Sequence, residues 1–157
     1  MINLDKGIVE AVQSLKMNYL DRPQPELLIR LPFSIDTGEE AVDLFTNEFT
    51  SLCPLNMAQP DYAGIHIFYS PKDYVAELKS LKYYLVSFRQ CPIFHEQVPK
   101  TIVSDLVKLL DPWYLLVEGK FSTRGGLDTT VKAEYVNPTP RPSRLPKAKA
   151  DEKEHKR

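Results

Sequence analysis

The stretch from Thr50 to Ile65 holds the two side chains best suited to chemistry, Cys53 followed by a proline and Asp61 preceded by one. A cysteine is a nucleophile only as a thiolate, and a free thiol titrates near ~8.5. Asp61 opposes thiolate formation by its charge, so it is better suited to donate or carry a proton. The pair indicates addition to a polar multiple bond followed by protonation. A structural cysteine beside a turn aspartate is the alternative interpretation.

His95 and Glu96 lie where a loop enters a predicted helix. A carboxylate at this position is stabilised by the helix N-terminus and can accept two hydrogen bonds from an edge such as the N1–H and 2-amino group of guanine. A helix-capping carboxylate beside a satisfied histidine is the alternative. The three histidines are scattered without paired ligand spacing, so no metal site is predicted.

A third group of polar residues, Lys79, Ser80 and Lys82, lies at the start of another predicted helix. Helix N–H groups, a hydroxyl and two ammonium groups can together hold a phosphate. Lysines on the solvated face of a helix are the alternative. The chain has no GxGxxG or GxxxxGK[ST] motif, so a nucleotide must bind without a Rossmann or P-loop cradle.

The elements that must position these residues follow from hydrophobic periodicity. The predicted order is strand, strand, helix, helix, strand, strand, at residues 43–52, 64–70, 77–89, 98–110, 114–123 and 127–135. In the first strand, the period of two places Phe45 and Phe49 on one face. We expect an α+β fold in which two helices pack on one face of a four-stranded antiparallel sheet. The open sheet edges favour side-by-side oligomerisation.

Length and composition predict one folded domain at residues 25–136, preceded by an N-terminal extension at 1–24 that contains a short helix. Residues 137–157 are rich in proline and charge and are predicted to be a disordered tail, either solubilising or in weak contact with RNA. The formal charge of −1 predicts no direct nucleic-acid binding, and no apolar run is long enough to span a membrane. Two cysteines and no signal-peptide pattern predict a cytoplasmic protein.

Five segments in order, FTSLCP, QPD, ELKSLKYYLVSFR, FHE and GKFSTRGG, resemble those of the NADPH-dependent 7-cyano-7-deazaguanine reductases, the nitrile reductases of queuosine biosynthesis. The resemblance covers roughly residues 25–135. It implies a tunnel fold, shared with GTP cyclohydrolase I, in which small sheets join into stacked rings such as a decamer. It also implies that two NADPH reduce the substrate 7-cyano-7-deazaguanine to 7-aminomethyl-7-deazaguanine, a precursor for modified tRNA.

The resemblance also implies a role for each matching residue. Cys53 would form a covalent thioimide with the nitrile carbon, and Asp61 would donate the proton. Substrate contacts would come from Glu77, Leu78, His95 and Glu96. NADPH contacts would come from Lys79, Ser80, Lys82 and Arg124.

One departure from the family pattern lies in the loop after the cysteine. The family pattern CPxTGQPD has seven steps from Cys to Asp, whereas CPLNMAQPD has eight here. The extra residue predicts a shift of Cys53 relative to Asp61, and a shift of about 1 Å can cost on the order of a hundredfold in rate.

Two other functions fit the same residues. One is amine transfer to the same nitrile, which makes an amidine. The other is a deazapurine-binding protein that captures the nitrile without reducing it. We also expect that Cys91, which precedes the FHE segment, could form a reversible disulfide with Cys53, although an inert thiol is the simpler interpretation.

Overall fold

The computed structural model describes residues 5–16, 20–34 and 40–140, apart from the side chains of residues 57 and 58. Most of the predicted tail, residues 141–157, lies outside this part of the chain. The described strands are β1 (Arg30–Pro32), β2 (Val42–Cys53), β3 (Asn56–Ser70), β4 (Tyr74–Ala76), β5 (Tyr114–Arg124) and β6 (Leu127–Val136). The described α-helices are α1 (Lys6–Ser14), α2 (Leu78–Val86) and α3 (Gln97–Leu110).

The main sheet has the strand order β2-β3-β5-β6, and every neighbouring pair is antiparallel. Alternation along β3 and β5 turns Ile65, Ile67, Leu115 and Val117 to one face, where they are buried. Helix α3 covers this face with side chains at three- and four-residue steps, including Ile102. The predicted four-stranded sheet with a helix pair on one face is therefore confirmed.

A β-bulge in β2 corrects one sequence-based prediction. The register pairs Thr46 with Ile65 and Phe49 with Ala63, so three steps on β2 oppose two steps on β3. The extra residue inverts the alternation of the strand from that point on. Phe49 is buried, but Phe45 is 59% exposed on the opposite face. The prediction that these two rings share a face is wrong, because a regular period cannot reveal an inserted residue.

The structure contains elements that periodicity did not predict. Pro25–Leu27 forms a 3₁₀ turn that leads into β1, and β1 pairs with β4 in a two-stranded sheet. A second 3₁₀ turn, Ser87–Gln90, ends α2 earlier than expected. Within the described residues, no helix is long and apolar enough to cross a membrane.

The folded part of the chain extends slightly past the predicted boundary at residue 136. Asn137 is nearly buried, and its side-chain amide donates to Asp111 Oδ1 at 2.9 Å and to the carbonyl of Pro112 at 3.1 Å. These bonds attach the end of β6 to the loop after α3. Asn137 therefore belongs to the folded unit.

Candidate active site

The hairpin of β2 and β3 places Cys53 and Asp61 at the same end of the sheet. Cys53 is the last residue of β2, and Ser51 on the same strand pairs directly with Asp61 on β3. Because residues two apart on a strand share a face, Ser51 and Cys53 point to the same side of the sheet. The aspartate is thus held opposite the strand that carries the thiol.

The loop before α3 is hydrogen-bonded to the outer edge of β2 next to the cysteine. The N–H of Leu52 donates to the carbonyl of Cys91, and the N–H of Ile93 donates to the carbonyl of Leu52, at 3.0 and 3.1 Å. These two bonds fix the loop that continues into His95 and Glu96. Residues some 40 positions apart in sequence are brought to one site in this way.

Asp61 has two basic partners in the interior of the site. Its carboxyl is 3% exposed, and Oδ1 lies 2.6 Å from Arg124 Nη2 and 3.2 Å from His95 Nε2. The imidazole of His95 stacks on the ring of Phe121, with centroids 4.0 Å apart and planes 7° from parallel. The stacked ring restricts the histidine to an orientation in which it faces Asp61.

Cys53 lies in an environment that favours the thiolate. The backbone N–H of Leu55, the Arg124 guanidinium and the backbone N–H of Asn56 lower the pKa of the Cys53 thiol below its usual value. The first and last of these donors belong to the hairpin turn itself. Arg124 supplies the positive charge that favours the Cys53 thiolate. It interacts with both the thiol and Asp61.

The extra residue between Cys53 and Asp61 is accommodated at the tip of the hairpin. Cys53 pairs with Asn56 and Leu52 pairs with Pro60, so residues 57–59 bulge out of the ladder. The pairing of Ser51 with Asp61 resumes beyond the bulge. Arg124 interacts with both functional side chains, and the shift of Cys53 relative to Asp61 stays a prediction.

Glu96 immediately precedes α3, but its side chain makes no capping hydrogen bond. The residue is exposed, and the first turn of α3 has no acidic residue. The capping alternative is therefore not observed. Glu96 lies next to His95 at the start of α3, where its carboxylate can accept hydrogen bonds from a ligand.

The residues at the start of α2 are arranged differently from this cluster. Glu77 caps the helix, and its carboxylate accepts hydrogen bonds from the N–H groups of Lys79 and Ser80 at 2.9 and 2.7 Å. The hydroxyl of Ser80 is fully buried, donates to the carbonyl of Glu77 and accepts from the N–H of Ile29. These groups are occupied within the chain, so they do not form an open phosphate cradle.

The exposed side chains of α2 lie along the part of the sheet away from the hairpin tip. Leu78 is 62% exposed and borders an apolar groove shared with Leu44 and Ile67. Ile67 is six residues from Asp61 along β3, a separation of about 20 Å in an extended strand. Lys82 Nζ lies 3.4 Å from a carboxylate oxygen of Glu48, and Lys79 Nζ donates to the carbonyl of Val12 on α1. The predicted site residues therefore form two separate groups within one chain.

Cys91 is buried beside the site, and burial raises the pKa of its thiol. Both cysteines are free thiols. The reversible disulfide stays a prediction. Among the described residues no cluster of His, Cys, Asp and Glu could hold a metal ion.

Arg124→Gln is expected to raise the pKa of the Cys53 thiol, because the variant removes the cationic partner but leaves the N–H groups of Leu55 and Asn56. The variant should therefore need a higher pH than wild type for Cys53 to react with iodoacetamide at the same rate, as followed by peptide mass. The pH profile of Arg124→Lys, which keeps the charge, should lie between those of Arg124→Gln and wild type. Identical pH profiles for all three proteins would contradict the assignment of Arg124 to the thiol.

A family model described as QueF-like protein matches residues 60–140 of the chain. The chain is similar to the NADPH-dependent 7-cyano-7-deazaguanine reductase of Thermomicrobium roseum, with 43% identity over 124 residues that cover 79% of this chain and 95% of the relative. It is also similar to the enzyme of the same name from Helicobacter pylori, with 46% identity over 112 residues that cover 71% of this chain and 75% of the relative.

Among solved structures, the chain resembles the apo form of the archaeosine synthase QueF-Like. The TM-score is 0.57 at 26% identity, and the match covers 64% of this chain and 96% of that one. The α+β architecture described above agrees with the tunnel fold implied by the five segments.

Proposed function

Because the chain belongs to the QueF-like family of NADPH-dependent 7-cyano-7-deazaguanine reductases, we propose that it reduces the nitrile of 7-cyano-7-deazaguanine to the aminomethyl group, as a step in queuosine biosynthesis. Two NADPH and two protons are consumed for each nitrile in this reaction. A tRNA-modification step of this kind takes place in the cytoplasm. The observation that supports the proposal most is the cluster of Cys53, Asp61 and Arg124.

This cluster accounts for the first bond-forming step. Cys53 attacks the nitrile carbon, one π bond of the nitrile breaks, and the nitrogen takes up a proton, which gives a thioimide bonded to sulfur. The thiol proton passes to Asp61 and from Asp61 to the nitrogen, so no external acid is needed for this step. Asp61 is the proton carrier in this scheme.

Arg124 makes this proton transfer easier because it interacts with both groups. The Cys53–Asp61 pair holds one negative charge whether the proton lies on sulfur or on oxygen. A guanidinium that contacts both sites stabilises either arrangement, so it lowers the cost of moving the proton between them. When the carbon–sulfur bond later breaks, the same groups stabilise the departing thiolate.

Glu96 and His95 bind the substrate beside this cluster. The exposed carboxylate of Glu96 accepts hydrogen bonds from the N1–H and 2-amino group of the deazaguanine ring. His95, in contact with Asp61, supplies replacement protons as the nitrogen is converted to an amine.

The residues on α2 fit a phosphate-bearing nucleotide. Lys79 and Lys82 are three positions apart on the helix and both side chains are exposed, so their ammonium groups can contact phosphates from one side. When bound, NADPH supplies the hydrides. Ser80 is buried, and we assign it the indirect role of holding Glu77 and α2 in place.

A complete site then requires a second copy of the chain. Leu78 borders Ile67, about 20 Å along β3 from Asp61, and Lys82 pairs with Glu48, about 16 Å along β2 from Cys53, although the proposed reaction needs all of these residues at one nitrile. We propose a ring-shaped homo-oligomer in which Glu77, Leu78, Lys79 and Lys82 of one copy face Cys53 of its neighbour. The edge of β6 and the edge of β2 before Leu52 provide the surfaces for this pairing.

The deciding experiment combines intact-protein mass with NADPH absorbance after addition of 7-cyano-7-deazaguanine. We expect a one-to-one adduct without NADPH, followed by its disappearance as two NADPH are consumed per nitrile. An adduct that persists in the presence of NADPH would contradict the reductase. It would favour a nitrile-binding protein, or amine transfer if ammonia releases an amidine.

Amine transfer is kept as the second candidate because the structural match is to an archaeosine synthase. The reductase is favoured because the relatives named as reductases are more similar in sequence, at 43% and 46% identity against 26%.

Glu96→Gln is expected to weaken nitrile binding about 10- to 150-fold, because a charge-assisted hydrogen bond is worth about 1.5–3 kcal/mol. The amide keeps one acceptor but places a donor against a donor of the substrate. The measurement is the dissociation constant of 7-cyano-7-deazaguanine in the Cys53→Ala background, where no covalent bond can form. Glu134→Gln, on β6 and bonded to the Tyr114 hydroxyl, is the matched control and should leave this constant unchanged.

A further inference from the structure

We propose that Ser51 is a positioning residue for proton transfer, and that its hydroxyl hydrogen-bonds the Asp61 carboxyl across the β2–β3 pair. The inference rests on the proposed function, in which Asp61 carries the proton. Ser51 is not part of any role implied by the family segments.

The Ser51 hydroxyl is unusual for a buried polar group. The residue has no exposed surface, and Oγ has no hydrogen-bond partner within the described part of the chain. Other buried serines on the chain are bonded: the hydroxyl of Ser80 donates to a backbone carbonyl, and so does that of Ser87. Since a buried hydroxyl without a partner destabilises the fold, retention of one here indicates a use outside folding.

The register places this hydroxyl opposite the proton carrier. Ser51 and Asp61 are direct partners on adjacent antiparallel strands, where the Cβ atoms are about 4.5–5.5 Å apart. A serine has three staggered rotamers, and its hydroxyl can both donate and accept. One rotation about χ1 therefore suffices to bring Oγ to the Asp61 carboxyl.

The other groups around Asp61 explain what this bond adds. Arg124, on β5, and His95, on the loop before α3, both contact Oδ1, and Cys53, at the end of β2, shares the guanidinium. A donor from Ser51 would reach the carboxyl at Oδ2. It donates when Asp61 is a carboxylate and accepts when Asp61 is protonated, so it orients the carboxyl in both states of the transfer.

The first test is Ser51→Ala against wild type, read by the pH profile of adduct formation with 7-cyano-7-deazaguanine in the absence of NADPH. Loss of a donor makes a carboxylate hold its proton more tightly, so the alkaline limb should move up by about 0.5–1 pH unit. Alkylation of Cys53 by iodoacetamide takes no proton from Asp61, so its pH profile should move less than that of the reaction with the nitrile. A shift of the alkylation profile without a shift of the nitrile profile would overturn the proposal.

The matched control is Ser70→Ala, a second buried serine at the far end of β3. It should leave the pH profile of adduct formation unchanged. The melting temperature separates the proposed role from a structural one. Because Ser51→Ala removes the proposed bond but leaves Asp61 its contacts with Arg124 and His95, any fall in this temperature should be accompanied by the shifted pH profile. A lowered melting temperature with an unshifted pH profile would show a purely structural serine.

A second measurement does not depend on the reaction. In protein labelled with ¹³C at the aspartate carboxyl carbons, the Asp61 resonance is assigned by its loss in Asp61→Asn, and its titration is followed in wild type and Ser51→Ala. We expect a higher midpoint in the variant, and equal midpoints would overturn the proposal. If wild type forms no adduct, the proposed function fails, but this titration still decides the role of Ser51.

Discussion

Cys53→Ala is expected to abolish the covalent adduct with 7-cyano-7-deazaguanine and to lower NADPH oxidation by on the order of 10⁴-fold or more, as removal of a catalytic nucleophile does. The reason is that no other thiol at the site is accessible and has a lowered pKa. Cys91 is buried, and burial raises the pKa of its thiol, whereas the hairpin N–H groups and Arg124 lower the pKa of Cys53. The measurements are intact mass and NADPH absorbance.

Cys91→Ala is the matched control for this prediction. It also removes one of the two thiols, yet it should keep both the adduct and turnover. Cys53→Ala itself should still bind the nitrile through Glu96, which shows that the variant is folded and that only bond formation is lost. An adduct of unchanged mass in Cys53→Ala would refute the assignment of the nucleophile.

Asp61→Asn is expected to reduce turnover by about 10²–10⁴-fold, the range typical of a lost general acid or base. Asparagine has nearly the shape of aspartate but cannot carry the proton to the nitrile nitrogen. The same change releases Arg124 from its ion pair and leaves the guanidinium to the thiolate. Alkylation of Cys53 by iodoacetamide should therefore be as fast as in wild type or faster at low pH, although reduction of the nitrile is slow.

These opposite effects distinguish a proton carrier from a residue that only supports the fold. Asp43→Asn is the control, because Asp43 lies on β2 away from the thiol and pairs with His66 at 2.6 Å. It should change neither rate. If Asp61→Asn slows alkylation and turnover equally, the variant has disturbed the position of Cys53, and the role of proton carrier is not supported.

The sequence predicted the order of the strands and helices because hydrophobic periodicity is a local property. The alternation in residues 127–135 and the helical spacing at 98–110 are both present in the structure. Short paired elements were missed because β1 and β4 have three residues each and are stabilised by pairing with one another rather than by local pattern. The bulge that turns Phe45 outward was missed for a related reason, since it becomes visible only when β2 is aligned with β3.

The candidate site was predicted in its residue types but not in its contacts. Cys53, Asp61 and His95 were identified from their neighbours in sequence, and the structure brings Asp61 and His95 together. The link from Arg124 to both Asp61 and Cys53 depends on the pairing of three strands and leaves no trace in local spacing. The burial of Ser80 also depends on tertiary contacts and could not be predicted from its polar segment, and its assignment as a cofactor contact stays a prediction.

The bulge at the hairpin tip has a consequence for how this site can change in evolution or by design. Residues 57–59 lie between two fixed points, the turn donors that stabilise Cys53 and the pairing of Ser51 with Asp61. Insertions or deletions there alter the rim of the site without a register slip in the rest of the sheet. The tip is therefore a position where the length of the chain can vary. Loop libraries at residues 57–59 can admit larger nitriles while Cys53 and Asp61 keep their positions.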